Sequence, residues 1–176
     1  MERGRELEGR VAIVTGAARG LGRAYAVALA EHGAQLLVCD VNDCDETVVA
    51  IRAAGGIAES AVTDVADMAS CTAMAESAVA AFGRIDILVN NAALYAGLQG
   101  ARFENLDEGQ WDAVMTVNVK GVWQCAKAVV GAMRAAGGGS IINVSSLAAV
   151  YGLPYGLDYV ASKAAVIGMT RGMARE

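Results

Sequence analysis

Val11-Ala-Ile-Val14, running into Thr15-Gly16-Ala-Ala-Arg19-Gly20-Leu21-Gly22, is the passage that decides the fold. Four successive apolar residues with no polar alternation read as a strand buried on both faces. The glycines after it allow a tight turn and let the backbone approach a bulky ligand. Leu21 to His32 is Ala-rich with helical spacing and stops at Gly33, a residue suited to closing a helix. A strand, a glycine turn and a helix in that order aim the helix's unsatisfied N–H groups and positive dipole end at an anion. A pyrophosphate fits there, so Gly16, Arg19, Gly20, Leu21 and Gly22 are candidate dinucleotide contacts. The spacing is G-x-x-x-G-x-G, not the commoner G-x-G-x-x-G, and its position after the first strand carries the reading.

The same alternation continues along the chain. Gln35 to Asp40 reads as a second strand, Cys44 to Ala54 as a helix ended by Gly55-Gly56, and Ile57 to Val62 as a third strand. Ala66 to Phe82 is a helix closed by Gly83, and Ile85 to Val89 a fourth strand. Glu108 to Ala136 is one long helix stopped by Gly137-Gly-Gly139, Ile141 to Val144 a fifth strand, and Tyr155 to Glu176 a last helix. Apolar strands alternating with helices imply a parallel sheet covered on both sides. The chain shows no linker, repeat or low-complexity tract, so residues 1–176 are expected to form one unit. The irregular stretch Leu94 to Asp107 follows the fourth strand, at the carboxyl edge where open α/β sheets bind ligands.

Composition narrows the function classes. The chain has 176 residues, 55% hydrophobic and 19% charged, with a net charge of −5. That is a globular profile, and a mildly acidic chain with no basic cluster argues against nucleic acid as a partner. No apolar run approaches the length of a membrane span, and Met1 to Arg10 has no apolar targeting core. Cys39, Cys44, Cys71 and Cys125 form no Cys-x-x-Cys pair, and His32 is the only histidine. Isolated cysteines of this kind read as small hydrophobes in a reducing, cytoplasmic setting, with no metal site. His32 is expected on a helix surface.

Several polar residues fall at the predicted ligand edge. Asp40 ends the second strand, 24 residues after Gly16. A carboxylate there accepts from both hydroxyls of an adenosine ribose and repels a 2′-phosphate, which favours NAD over NADP. Arg19, a possible phosphate partner, weakens that preference, and Asp40 alternatively only caps the following turn. Asp64-Val65 follows the third strand, where Asp64 could accept from an adenine amino group. Asn90 and Asn91 follow the fourth, where side-chain amides tie loops together. Each of these also suits an ordinary turn. Asn118 falls within the long helix, where Asn is a poor former, which makes it a candidate for a buried network. Ser145-Ser146 ends the fifth strand.

Tyr159 and Lys163 share one helix face at i, i+4. An ammonium beside a phenol favours the phenolate and moves a tyrosine down from its usual value near 10, toward proton transfer at neutral pH. The spacing alone is common on solvated helices. Set after the glycine turn and with Asn90-Asn91-Ala92, Asn118 and Ser146 in order, it resembles the short-chain dehydrogenase/reductase family. The resemblance runs from about Arg10 to Glu176.

That resemblance implies a Rossmann-like doubly wound parallel sheet with helices on both faces. It also implies hydride transfer between NAD and a secondary alcohol/ketone pair, with Asn118, Ser146, Tyr159 and Lys163 as the catalytic set. Tyr159 would exchange the substrate proton, and Lys163 would assist it and hold the nicotinamide ribose. Ser146 would bond the reacting oxygen, and Asn118 would hold a water that relays protons outward. Ser146 is preferred to Ser145 because it stands 13 residues before Tyr159, the family's usual separation. Cofactor contacts are expected from Gly16, Arg19, Gly20, Leu21, Gly22, Asp40, Asp64, Val65, Asn91, Tyr159 and Lys163. Relatives are commonly homodimers or homotetramers.

Two departures from the family stand out. Ala93 replaces the usual glycine after Asn-Asn-Ala. Family members also run on for about half as many residues again, so the last strands and the substrate lid are expected to be missing here. On that basis the strand before Ser146 should form an exposed edge, and the 176-residue chain alone should have little or no dehydrogenase activity. A non-catalytic NAD-binding module and an NADP-linked 3-oxoacyl-thioester reductase are the alternatives. The substrate itself is not legible, although Tyr95, Leu98, Leu147, Tyr151, Leu153 and Tyr155 suit either an apolar pocket or ordinary loop anchoring.

Overall fold

The computed structural model describes residues 6–176. Five parallel strands form one sheet: β1 (Val11–Thr15), β2 (Gln35–Asp40), β3 (Ile57–Val62), β4 (Ile87–Asn90) and β5 (Ser140–Asn143). Their spatial order is β3-β2-β1-β4-β5. The chain steps outward from β1 to β3, then crosses back to the other side of β1 to lay down β4. That reversal leaves a crevice above the carboxyl ends of β1 and β4, where open α/β sheets bind ligands.

The helices are α1 (Gly20–Glu31), α2 (Asp45–Ala53), α3 (Met68–Phe82), α4 (Glu108–Met115), α5 (Gly121–Ala135), α6 (Ala148–Tyr151) and α7 (Leu157–Met173). Because neighbouring strand residues point to opposite faces, β1 is split between two cores. Ala12 and Val14 pack with Ala26 of α1 and Val48 and Ile51 of α2. Ile13 packs with Met74 and Ala78 of α3 and Cys125 and Val129 of α5. Both sides of the central strands are therefore covered, the Rossmann-like doubly wound arrangement. Burying each such Ile, Leu or Val contributes about 1.5–3 kcal/mol.

The amino edge of the β1–β4 pair is pinned by Asp86. Its Oδ2 accepts from the Val11 N–H at 3.0 Å and Arg84 Nε at 2.8 Å. Its Oδ1 accepts from Arg10 Nη1 at 2.8 Å and Arg84 Nη2 at 2.6 Å. Burial pushes this carboxyl up, but the Arg84 guanidinium, the Val11 amide and Arg10 outweigh it and hold the pKa at about 2.

The structure departs from the sequence reading in several places. β3 is a sheet edge exposed along most of its length rather than a buried run, with Val62 76% exposed, whereas β5 is the exposed edge expected, with Ile142 49% exposed. β4 starts at Ile87, not Ile85. The helix expected over 108–136 is interrupted by a π-helical turn at Thr116–Lys120 that carries Asn118. β5 ends at Asn143, so Ser145 and Ser146 lie beyond the strand rather than at its end. The last helix starts at Leu157 because Tyr155 has φ +60°, a left-handed backbone outside any helix; α6 was not anticipated. All four cysteines are buried and free, and Cys39 is pushed up to about 12 by burial. His32 stands at the C-cap of α1, half-buried. Among the described residues no helix is long and apolar enough to cross a membrane.

Candidate active site

The glycine turn occupies the crevice end of β1. Gly16 has φ +66°, and a Cβ there would fall 2.7 Å from the Ala92 backbone. A Cβ on Gly22 would collide with the Gly16 carbonyl and lie 2.6 Å from Asn91 Nδ2. These two glycines therefore pack the turn against the end of β4. Gly20 differs: φ is +58° and nothing lies within 4 Å of the place its Cβ would take. It leaves open space at the first residue of α1, whose N-cap, Arg19, supplies no side-chain cap. That is the cradle expected for an anionic group.

Thr15 and Asn91 lock the turn to β4. Thr15 Oγ1 donates to the Val89 carbonyl and accepts the N–H groups of Asn91 and Ala92, both at 3.1 Å. Asn91 Nδ2 donates to the carbonyls of Thr15 and Gly16 at 3.0 Å. Asn91 thus fixes the turn's shape, and Asn90 serves the sheet instead, donating to Asn143 Oδ1 at 2.9 Å.

A cleft of about 450 Å³ opens here, lined by the glycine turn, Asp40, Asp64, Val65, Asn91 and the loop Ala92–Ala96. Asp40 Oδ2 accepts from the Ala18 N–H at 3.2 Å, and Oδ1 accepts from the backbone and side chain of Asn42 at 3.0 Å. Asp40 is therefore both a turn former and a carboxylate at the cleft margin. Asp64 is exposed and Val65 buried, and Asp64 Oδ1 accepts from the Ala66 N–H. Arg19 and Leu21 are exposed on the same edge.

At the far side α7 delivers Tyr159 and Lys163. Lys163 is 3% exposed, and its Nζ donates to the Val144 carbonyl at 2.8 Å. Nζ stands 5.9 Å from the centre of the Tyr159 ring. Burial pushes the Lys163 ammonium below its usual value. Ser145 Oγ donates to the Lys163 carbonyl at 2.7 Å and so binds the loop after β5 to α7. Ser146 Oγ accepts the Ala148 N–H at 3.1 Å. Its hydroxyl proton is not used in that bond, which distinguishes it from Ser145. Asn118 is fully buried, with Oδ1 taking the Leu94 N–H at 2.7 Å and Nδ2 donating to the Leu94 carbonyl and to Ser162 Oγ.

The structure thus brings the turn, Asp40, Asp64, Val65 and Asn91 to one cleft; Asn118 joins its lining through Leu94, and Tyr159, with Lys163 beside it, through Tyr95, while Ser146 follows Ser145, which bonds the Lys163 backbone. The sequence reading did not single out Thr15 or Ser162. Ser162 is fully buried, and its Oγ donates to the Tyr159 carbonyl; only its place between Tyr159 and Lys163 hinted at a role. Tyr95, read as a pocket or anchor residue, lays its ring 4.6 Å from that of Tyr159 at 46° between planes. Among the described residues no three His, Cys, Asp or Glu side chains converge as metal ligands.

Comparison with known proteins agrees with this geometry. A family model described as short chain dehydrogenase matches residues 10–176. The 3-oxoacyl-[acyl-carrier-protein] reductase FabG of Thermotoga maritima is 40% identical over 172 residues, spanning 97% of this chain and 69% of the relative. D-threitol dehydrogenase of Mycolicibacterium smegmatis is 41% identical over 172 residues, spanning 97% and 65%. A solved structure assigned as a short-chain alcohol dehydrogenase, from Sinorhizobium meliloti 1021, superimposes with a TM-score of 0.91 at 38% identity. The match covers 97% of this chain and 68% of that one. The chain spans about two thirds of the length of these relatives.

Proposed function

This chain belongs to the short-chain dehydrogenase family, and from that premise we propose that it is an oxidoreductase moving hydride between NAD(H) and a secondary alcohol/ketone pair. The observation that carries the reading is the buried Lys163 ammonium beside the Tyr159 ring, at the edge of a cleft headed by the glycine turn. The nicotinamide dinucleotide, when bound, supplies the hydride acceptor or donor. Gly16, Gly20 and Gly22 with the amino end of α1 hold its pyrophosphate, and Asp40 its adenosine ribose. Asp64, Val65 and Asn91 border the same cleft.

Tyr159 takes the hydroxyl proton in oxidation and returns it to the carbonyl oxygen in reduction. The Lys163 ammonium places positive charge beside that phenol, its orientation fixed by the Val144 carbonyl. Ser146 donates to the reacting oxygen, where negative charge develops. Asn118 holds the Leu94 backbone and the Ser162 hydroxyl, and so keeps the proton path next to Tyr159 in register. On the same reading the active form is a cytoplasmic homodimer or homotetramer, and residues 1–176 make one dinucleotide-binding and catalytic unit.

The relationship to FabG, with Arg19 exposed at the same edge as Asp40, favours a second reading: an NADP-linked reductase of 3-oxoacyl thioesters. Turnover of a full-length protein with NADH against NADPH, on secondary ketones and on a 3-oxoacyl thioester, separates the two. Tyr159→Phe is expected to lower kcat by about 10²–10⁴-fold while leaving dinucleotide affinity intact. An unchanged rate would remove Tyr159 from the proton transfer, whereas a full-length protein that binds dinucleotide but turns over no substrate would be the non-catalytic binding module.

A further inference from the structure

The segment from Leu94 to Gln99 has no helix or strand of its own, yet it is clamped at both ends by the same device. At its start Asn118 pairs with both backbone groups of Leu94. At its end Gln110 does the same to Gln99: Gln110 Oε1 accepts the Gln99 N–H at 2.8 Å, and Nε2 donates to the Gln99 carbonyl at 3.1 Å. A side-chain amide matched to the N–H and C=O of one residue replaces a missing strand partner. Both clamps also reach α7, one on each side of the same residue. Asn118 bonds Ser162 Oγ at 3.1 Å, and that hydroxyl donates to the Tyr159 carbonyl at 2.8 Å. Gln110 Nε2 donates to Asp158 Oδ2 at 2.8 Å, and Asp158 Oδ1 accepts the Tyr159 N–H at 2.8 Å. Asp158 is 1% exposed. A carboxyl group so deeply buried is tolerated only when hydrogen-bonded, and both its oxygens are.

Tyr95 lies between the two clamps, its ring against that of Tyr159. The loop is tied a third time beyond them, where the Ala101 N–H donates to the Tyr155 carbonyl at 3.2 Å. Losing the Gln110 clamp would therefore free residues 95–99 without releasing the rest of the loop.

We propose that Gln110 and Asp158 are positioning residues for the proton-transfer step, holding Tyr95 as a brace against the Tyr159 ring from the side opposite Asn118. The proposal rests on Tyr159 being the acid/base of the reaction. Its test uses a full-length protein carrying Gln110→Leu or the isosteric Asp158→Asn.

Two readouts are needed: hydrogen exchange of the Gln99 amide, and kcat alongside KM for the dinucleotide. Gln110→Leu should speed exchange at Gln99 about tenfold or more, the equivalent of one lost hydrogen bond. It should lower kcat to a similar degree while leaving KM for the dinucleotide within about twofold. Asp158→Asn sets a side-chain NH2 group against the Gln110 donor and should lower kcat likewise. Unchanged exchange at Gln99 in Gln110→Leu overturns the clamp. Faster exchange with unchanged kcat in Gln110→Leu, or unchanged kcat in Asp158→Asn, overturns the positioning role. If the wild-type protein turns over neither alcohol nor ketone, the functional reading fails and the positioning role with it, whereas exchange at Gln99 still decides the clamp.

Discussion

Asp86 should make the stability of this protein sensitive to acid. The carboxyl is held at about 2, against a usual aspartate value near 3.9. A folded-state pKa below the unfolded one contributes stability that is complete above about pH 4 and lost as pH falls toward 2. A shift of about two units at 1.36 kcal/mol each gives about 2.5 kcal/mol. Asp86 is 4% exposed, but its partners Arg10 and Arg84 are 53% and 38% exposed. Solvent screening of the two guanidinium groups brings the expected contribution down to about 1–2 kcal/mol. The perturbation is Asp86→Asn, which keeps the shape and removes the charge. Urea unfolding at pH 7 should show the variant less stable by about that amount, and the difference should shrink steadily between pH 4 and pH 2. The pinned ends of β1 and β4 lie at the amino edge, away from the cleft, so kcat and KM at neutral pH should hold. A stability difference that stays constant down to pH 2 would refute the reasoning, since the charge would then not be its source.

Other outcomes follow from the site. Lys163→Met should abolish turnover without lowering stability at neutral pH: burial disfavours the ammonium, a penalty complete below its folded-state pKa and relieved as pH rises toward the usual lysine value. A clear loss in urea unfolding would mean that the bond to Val144 dominates instead. Gly22→Ala should weaken dinucleotide binding at least about tenfold and destabilise the protein by about 1–3 kcal/mol, because its methyl meets the Gly16 backbone. Gly20→Ala should cost only about 1–2 kcal/mol, from its left-handed φ in open space. Equal effects of the two, read by fluorescence titration with NADH and by thermal melts, would contradict the packing described. Asp40→Ala should raise the Kd for NADH and narrow its advantage over NADPH; an unaltered ratio would remove Asp40 from cofactor choice.

What could be read from the sequence was local. Gly16, Gly20 and Gly22 announce the turn because three glycines between an apolar run and a helix have few other uses. Tyr159 and Lys163 gain meaning only in company, because their helical spacing is common and the glycine turn, Asn118 and Ser146 before them make it specific. The central strands β1, β2 and β4 are legible because both their faces are buried. β3 was placed correctly, but its exposure was not, since edge position depends on strand order. Asp86, Thr15, Gln110 and Asp158 stayed hidden because each looks like an ordinary polar residue at the end of an element. Each role depends on at least one partner 11 to 77 residues away in the chain. Tyr155, with its left-handed backbone, was read as a helix start because side-chain pattern carries no information about φ. Asn118 was rightly suspected of a buried task, but the interruption of the helix around it leaves no mark on hydrophobic periodicity.

That interruption has a consequence for anyone redesigning the protein. The turn at Thr116–Lys120 gives a single rod one residue more than a regular spiral would hold, so its two halves are rotated out of phase. The first half can then lean on α7 while the second packs against α3. Deleting one residue in this stretch would heal the spiral and raise its helical content. It would also swing one half away from its neighbour and carry the Asn118 amide off the Leu94 backbone.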